Sequence, residues 1–182
     1  MRAIAPAFGR LYHSLMFEGD HAERVATLVL GVGNPMKGDD GVGPYVATRL
    51  ASACADGQPA VPPSTMRAID CGTTPENYTS VVRQLRPDVL VIVDAAEMGL
   101  GVGEFRIIPP DRVGALGLST HSMPLSLFMS YVRGLASKVV LLGVQPLGMV
   151  FGTGLSAEVT AAGEAVVSVI TQGKLEEVCF LD

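Results

Sequence analysis

The chain has 182 residues, of which 48% are hydrophobic and 17% charged, a composition that suits one globular domain with a large buried core. The formal net charge is −5, and the 13 Lys and Arg residues are scattered, which argues against nucleic acid as a partner. Three cysteines without a Cys-x-x-Cys pair make neither a complete disulfide framework nor a zinc knuckle. No apolar run approaches the ~20 residues of a membrane helix. We therefore expect a cytoplasmic protein without a membrane partner.

The N-terminal 25 residues do not fit the pattern of the rest of the chain. We predict an N-terminal extension over 1–25 and one domain over 26–182. The extension contains Arg2 and Arg10 with no acidic residue before Glu18, so an organelle-targeting segment is the alternative to a merely helical or disordered one.

Three runs of branched apolar residues, Leu28–Val32, Val89–Val93 and Val139–Val144, are too continuous to alternate between a buried and an exposed face. Such runs are typical of parallel strands that are buried on both faces of a sheet. A weaker strand is predicted at Met66–Cys71. A further strand, Glu104–Ile108, follows a glycine-rich turn that favours an antiparallel return.

Between these runs, apolar residues recur at helical spacing. Helices are predicted directly after Asp40 and at Pro75–Leu85, Pro124–Leu135 and Ala157–Ile170. Alternating strands and helices of this length predict a single-domain α/β fold, a three-layer α/β/α sandwich with a mostly parallel, doubly wound sheet and one antiparallel edge strand.

Acidic side chains and one imidazole follow the predicted strands. Asp40 lies in the loop after the first strand, Asp70 ends the second, Asp94 ends the third, and His121 precedes the helix that begins near Pro124. In an open α/β sheet, ligands bind beyond the carboxyl ends of the strands. Two carboxylates and one imidazole give a divalent ion three ligands and leave positions open for water or substrate, as in catalytic sites. We therefore predict a catalytic metal site formed by Asp40, Asp94 and His121.

Each of these residues also has a structural interpretation. Asp39 or Asp40 could cap the following helix. Asp94 could have a purely structural partner, because an unpaired charge at the mouth of a buried strand is costly. His121 lies in a polar loop and could be structural too, while Asp70 is interpreted as a supporting partner of the site or of a helix N-terminus.

A nucleotide-binding α/β protein is one functional alternative, because Gly31-x-Gly33 follows a strand as a dinucleotide fingerprint does. That fingerprint needs a third glycine three residues later, where this chain has Met36. The pair Asp39-Asp40 would also repel a pyrophosphate at the start of the helix.

A set of short motifs occurs in order between Leu28 and about Ile170. They are Gly31-Val32-Gly33-Asn34 with Asp39-Asp40-Gly41, Pro75-Glu76-Asn77, Leu85-Arg86-Pro87, Val93-Asp94-Ala95, Met98-Gly99-Leu100, Gly103-Glu104, Thr120-His121-Ser122-Met123-Pro124-Leu125 and Leu142-Gly143-Val144-Gln145-Pro146. This ordered set resembles the [NiFe]-hydrogenase maturation endopeptidases, in particular the branch that serves hydrogenases of the formate-hydrogenlyase type.

The resemblance implies that residues 26–182 form a hydrogenase maturation protease domain in which Asp40, Asp94 and His121 contact nickel. The implied activity removes the C-terminal extension of the [NiFe]-hydrogenase large-subunit precursor after nickel insertion. Nickel would arrive in the precursor, held by cysteine thiolates of that protein, so that the protease binds only a precursor that contains nickel. We expect a monomer that uses a water activated by the metal or by a carboxylate.

Other peptidase classes lack support, because the chain has no Gly-x-Ser-x-Gly elbow and no His-Glu-x-x-His helix. The resemblance implies a nickel-dependent, carboxylate-based endopeptidase of the aspartic type, and both ways of activating the water stay open. The remaining alternative is a nickel-dependent chaperone that recognises the large subunit without cutting it.

Overall fold

The computed structural model describes residues 25–55, 66–116 and 123–182. Within these ranges five strands form one sheet. They are β1 (Thr27–Gly31), β2 (Met66–Asp70), β3 (Val89–Ala95), β4 (Phe105–Ile108) and β5 (Lys138–Val144). The strand order is β2-β1-β3-β5-β4, and every neighbouring pair is parallel except β4 with β5. The predicted mostly parallel sheet with one antiparallel edge strand is confirmed.

The helices of the described residues follow the predicted apolar spacing. They are α1 (Val42–Ala55), α2 (Thr79–Leu85), α3 (Pro110–Val113), α4 (Leu125–Val132) and α5 (Ala157–Thr171). Short 3-10 turns over Gly38–Gly41 and Pro75–Tyr78 lead into α1 and α2, and a third covers Leu175–Glu177. The short α3 and the last turn carry too little periodicity to be predicted.

Helices cover both faces of the sheet and form two separate cores. On one face, α1 and α5 pack through Val46, Leu50 and Val166 against the strands. On the other face, α2, α3 and α4 pack through residues such as Val82 and Phe128. The molecule is therefore the predicted three-layer sandwich, because each central strand is buried on both faces.

The strand order places a topological switch point between β1 and β3. From β1 the chain runs through α1 to β2 on one side, and then through α2 back across β1 to β3 on the other. Consecutive crossovers that leave in opposite directions open a crevice at the carboxyl ends of the two strands. Gly31 is in register with Val93, so Asp94 lies one residue beyond the end of β1 at this crevice.

The antiparallel strand β4 pairs with β5, although β3 precedes it in the chain. The glycine-rich turn before β4 correctly predicted a reversal of direction, but it did not predict that β5 would lie between β3 and β4. On the side of β4 that faces away from β5, the N–H of Ile107 donates to the carbonyl of Cys179, and the carbonyl of Ile107 accepts from the N–H of Leu181. The C-terminal segment therefore covers this edge of the sheet.

Residues 1–24 lie outside the described residues, so the predicted extension over 1–25 stays a prediction.

Candidate active site

The loop between β1 and α1 brings Asp40 to the switch point. Gly33 has φ +134° in this loop, and a side chain there would collide with the backbone carbonyl of Asp40. The Oδ2 atom of Asp40 accepts a hydrogen bond of 3.0 Å from the N–H of Asn34. The carboxylate is therefore held by its own loop, and it is half-buried.

A close approach between helix and sheet sets the position of this loop. A Cβ atom at Gly43 would lie 2.2 Å from the carbonyl oxygen of Val32 and 2.4 Å from that of Val93. Only a glycine lets the first turn of α1 sit against the ends of β1 and β3 in this way. The same contact places Asp40 beside the end of β3.

Asp94 is the second carboxylate of the site and lies inside β3, which extends to Ala95. Its side chain is buried. Burial first, and then the negative charge of Asp40, raises the pKa of Asp94 well above its usual value, and the backbone N–H of Ala95 offsets this only in part. The charge of Asp40 is therefore felt at Asp94, while the predicted site of Asp40, Asp94 and His121 stays a prediction.

Asp39 has a structural role that differs from the predicted helix cap. Asp39 lies inside the 3-10 turn Gly38–Gly41, and Lys37, which precedes this turn, makes no side-chain cap. The carboxylate of Asp39 instead accepts hydrogen bonds from the N–H groups of Leu147, Gly148 and Ser156 at 2.8, 3.2 and 2.6 Å and from the Ser156 hydroxyl at 3.1 Å. Desolvation raises the pKa of Asp39, but these bonds outweigh it, and the pKa lies below its usual value.

The cap interpretation for Asp39 is thus wrong, because its side chain points across to the segment after β5 rather than into its own helix. In the sequence that segment is more than a hundred residues away, so no local pattern could reveal the contact.

Gln145 is a functional candidate that the sequence analysis did not single out. It is buried directly after β5, and its Oε1 accepts hydrogen bonds from the N–H groups of Met98 and Leu100 at 2.7 and 3.2 Å. Its amide nitrogen donates to Glu97 at 2.8 Å. Gln145 therefore ties the loop that follows Asp94 to the end of the neighbouring strand. A glutamine directly after a buried apolar run was the available signal.

The other predicted site residues are placed as follows. Asp70 ends β2 on the far side of β1, and its Oδ1 accepts a 2.8 Å hydrogen bond from the N–H of Gly72, which forms a turn. This bond gives Asp70 a local role rather than a contact with Asp40 or Asp94.

His121 lies outside the described residues, so its predicted place in the site stays a prediction. In the described ranges no three His, Cys, Asp or Glu side chains group closely enough to hold a metal ion.

The loop after β1 is unsuited to a nucleotide phosphate. Phosphate loops bind through free backbone N–H groups. Here the N–H groups of Gly33, Gly38 and Asp39 donate to carbonyl oxygens of other segments, and the N–H of Asp40 donates to the carbonyl of Lys37 within the loop. The N–H of Asn34 donates to the carboxylate of Asp40. This geometry disfavours the nucleotide-binding alternative.

Two adjacent carboxylates, one buried and one half-open to the crevice, can perform two kinds of chemistry. They can share a proton and so provide a base and an acid for hydrolysis, as carboxylate pairs do. They can also supply two oxygen ligands to a divalent cation, which would neutralise their mutual repulsion.

Comparisons with known proteins identify the family of this chain. The family model described as hydrogenase maturation protease matches residues 45–173, which include Asp94 and begin just after Asp40. The hydrogenase 3 maturation protease of Escherichia coli K12 is 42% identical over 120 residues, covering 65% of this chain and 72% of that protein. A putative hydrogenase maturation protease of Methanocaldococcus jannaschii is 31% identical over 146 residues, covering 80% and 86%.

Solved structures agree with these matches. The solution structure of an endopeptidase from Escherichia coli has a TM-score of 0.75 at 35% identity and covers 87% of this chain and 97% of its own. The crystal structure of a [NiFe] hydrogenase maturation protease from Thermococcus kodakarensis has a TM-score of 0.68 at 29% identity and covers 85% and 93%. No described helix is long and apolar enough to cross a membrane. The chain therefore belongs to the hydrogenase maturation protease family, whose members are endopeptidases.

Proposed function

We propose that this endopeptidase removes the C-terminal extension of a [NiFe]-hydrogenase large-subunit precursor, and that it recognises the nickel that the precursor already carries. The observation that carries the proposal is the buried carboxylate of Asp94 beside Asp40 at the switch point. A buried carboxylate next to a second one is unfavourable in the free protein, and a cation brought by the substrate would relieve it.

Nickel belongs to the substrate in this account. Asp40 and Asp94 offer two oxygen ligands, and His121, which precedes α4 in the sequence, would add an imidazole nitrogen. Carboxylates alone hold nickel weakly, since this metal prefers nitrogen and sulfur ligands, so the free protease would retain little of it. Thiolates of the precursor would complete the coordination and would position the scissile bond at the same time.

The carboxylate pair also supplies the proton transfer that peptide hydrolysis requires. Water attacks the carbonyl carbon of the scissile bond, a carboxylate takes the proton of that water, and the proton passes to the nitrogen of the leaving peptide as the C–N bond breaks. The C-terminal extension leaves with a free amine, and the large subunit ends in a carboxylate.

We further propose that the protein acts as a monomer in the cytoplasm. Cys71 and Cys179 are both free in the part of the chain that the structure describes, as expected in a reducing compartment.

The test is incubation of the purified protease with nickel-loaded precursor, followed by mass spectrometry of the products. The proposal predicts one released C-terminal peptide and a large subunit shortened by the same mass. Stable binding without release would support the chaperone alternative. If titration calorimetry shows binding of NAD or ATP and the precursor stays uncleaved in the first assay, the nucleotide-binding alternative is supported.

A further inference from the structure

An uncharged segment follows β5 and carries large apolar side chains into solvent. Residues 146–157 contain no charged residue. Within them, Leu147, Val150 and Phe151 are exposed, with Leu147 at 66% and Phe151 at 74%. Apolar side chains grouped at a surface typically mark a site of interaction with another molecule.

A fourth exposed apolar side chain, Met36, joins this segment from the loop after β1. The carbonyl of Met36 accepts a 2.7 Å hydrogen bond from the N–H of Gly152, and the N–H of Gly38 donates to the carbonyl of Thr153 at 3.1 Å. The two loops are thus held side by side. We call the surface formed by Met36, Leu147, Val150 and Phe151 the apolar rim.

The apolar rim is anchored to the loop that carries the site. Asp39, which immediately precedes Asp40, accepts four hydrogen bonds from Leu147, Gly148 and Ser156 and donates its own N–H to the carbonyl of Gly148 at 3.1 Å. The position of the rim is therefore fixed relative to the carboxylate pair. A polypeptide whose scissile bond lies at Asp40 and Asp94 must continue over the neighbouring surface.

We propose that the apolar rim docks an uncharged, apolar stretch of the large-subunit precursor that adjoins the scissile bond. This inference rests on the proposed function and names the surface by which the same site holds its polypeptide substrate. The rim determines which polypeptide is bound, while Asp40 and Asp94 bind the cation and act on the peptide bond.

Charge favours the precursor over a second copy of this chain as the occupant. The chain has a formal net charge of −5. The carboxylate of Asp39, next to Asp40, accepts hydrogen bonds from the N–H groups of Leu147 and Gly148 at the rim. Two rims placed face to face would bring two acidic pairs towards each other in a contact that excludes water, which is unfavourable. A precursor segment without acidic side chains meets no such repulsion at that point.

The experiment compares two double variants in steady-state cleavage of nickel-loaded precursor. Leu147→Ser with Phe151→Ser removes two side chains of the rim. Leu127→Ser with Phe180→Ser is the matched control, since these side chains are 54% and 63% exposed at other places on the surface. Neither pair is packed in the core, so both proteins should fold normally.

We expect the rim variant to raise KM about tenfold or more, because the two side chains that the precursor would bury on binding are lost. The acid–base groups remain, so kcat should change by less than about threefold. The control should keep the KM of the wild type. An unchanged KM for the rim variant, or an equal rise in the control, would overturn the proposal. So would a fall in kcat at constant KM, which would show that the rim only orders the site.

Two further readings separate this proposal from other accounts. A wild-type dimer that becomes a monomer in the rim variant, measured by light scattering, would assign the rim to a second copy of the chain. If the wild type releases no peptide, the proposed function fails. Calorimetric affinity of the intact precursor for the wild type and the rim variant then still tests the rim, and equal affinities would reject it.

Discussion

At Asp94, burial and the charge of Asp40 act in the same direction, and both raise the pKa of this carboxyl. A residue selected only for stability would not be placed in this way, because the ionised form is unfavourable inside the protein. Such perturbed carboxyl groups in a crevice are typical of catalytic and ligand-binding sites. The cost to stability can be measured directly.

Replacing Asp94 by asparagine should stabilise the metal-free protein at neutral pH. Below a pH of about 4 the carboxyl is protonated in both the folded and the unfolded state, so it carries no penalty. As the pH rises towards the raised pKa of the folded state, only the unfolded state ionises readily, and the wild type loses stability. We expect Asp94→Asn to gain about 1–3 kcal/mol near pH 7.5 and nothing near pH 4.

Urea unfolding at several pH values in the presence of a chelator measures this effect. Asp111→Asn, at an exposed position on α3, is the control and should show no gain that depends on pH. An Asp94→Asn protein whose stability follows that of the wild type at every pH would contradict this account of the site.

Replacing Asp40 by asparagine should abolish processing and leave the fold intact. The asparagine oxygen can still accept the hydrogen bond from the Asn34 N–H, so the loop keeps its shape. The loss of the charge removes an acid–base group or a ligand of the cation, and we expect cleavage of loaded precursor to slow at least about 100-fold. Peptide release, followed by mass spectrometry, gives the rate.

The matched control is Asp70→Asn, on the strand at the other side of β1. Its asparagine oxygen can still accept from Gly72, so this variant should cleave at nearly the rate of the wild type. Equal rates for the Asp40→Asn variant and the wild type would remove Asp40 from the catalytic machinery.

At the scale of elements, the site depends on the segment after β5 being held against the loop after β1. Asp39 makes that connection, and Ser156 extends it into α5, because its hydroxyl caps the helix by accepting from the N–H of Val159. One carboxylate thus organises a loop and, through its serine partner, the start of a helix.

Asp39→Ala should destabilise the protein by at least about 2 kcal/mol, because three N–H groups lose a charged acceptor. The pKa of Asp39 is lowered in the folded state, so this contribution is present at neutral pH and is lost as the pH falls below about 4. Hydrogen exchange should accelerate at Leu147, Gly148 and Ser156. Unchanged exchange at these three amides would show that Asp39 does not hold the segment.

Gly43→Ala should damage both the fold and the activity, because its Cβ would overlap the carbonyl oxygens of Val32 and Val93. We expect a loss of about 3 kcal/mol or more in the free energy of unfolding, as α1 is pushed away from the sheet. Gly134→Ala is the control, since no atom lies within 4 Å of its Cβ. Thermal unfolding of both variants measures the difference, and equal stability would contradict the close approach of α1.

For the molecule as a whole, local sequence patterns predicted the layers of the fold and missed its long-range contacts. Continuous apolar runs identified the buried parallel strands, since burial on both faces leaves a local signature. The pairing of β4 with β5 depends on residues far apart in the chain, and so does the contact of Asp39 with Ser156. No pattern within one segment encodes such partners.

The candidate site shows the same division. The position of Asp94 after a buried run pointed to the site, because the carboxyl ends of parallel strands converge at one edge. The buried role of Gln145 was missed, since its partners Met98 and Leu100 belong to another loop. The part played by His121 stays a prediction.

The central claim is that cleavage requires nickel in the precursor. It is tested by incubating the wild-type protease with the same precursor in nickel-loaded and metal-free forms. In the proposed mechanism, ligands of the precursor complete the site. We therefore predict release of the C-terminal peptide from the loaded form alone, with no rescue when zinc is added to the protease. Mass spectrometry of the released peptide gives the answer. Equal release from the metal-free precursor would contradict the claim and leave an ordinary carboxylate peptidase formed by Asp40 and Asp94.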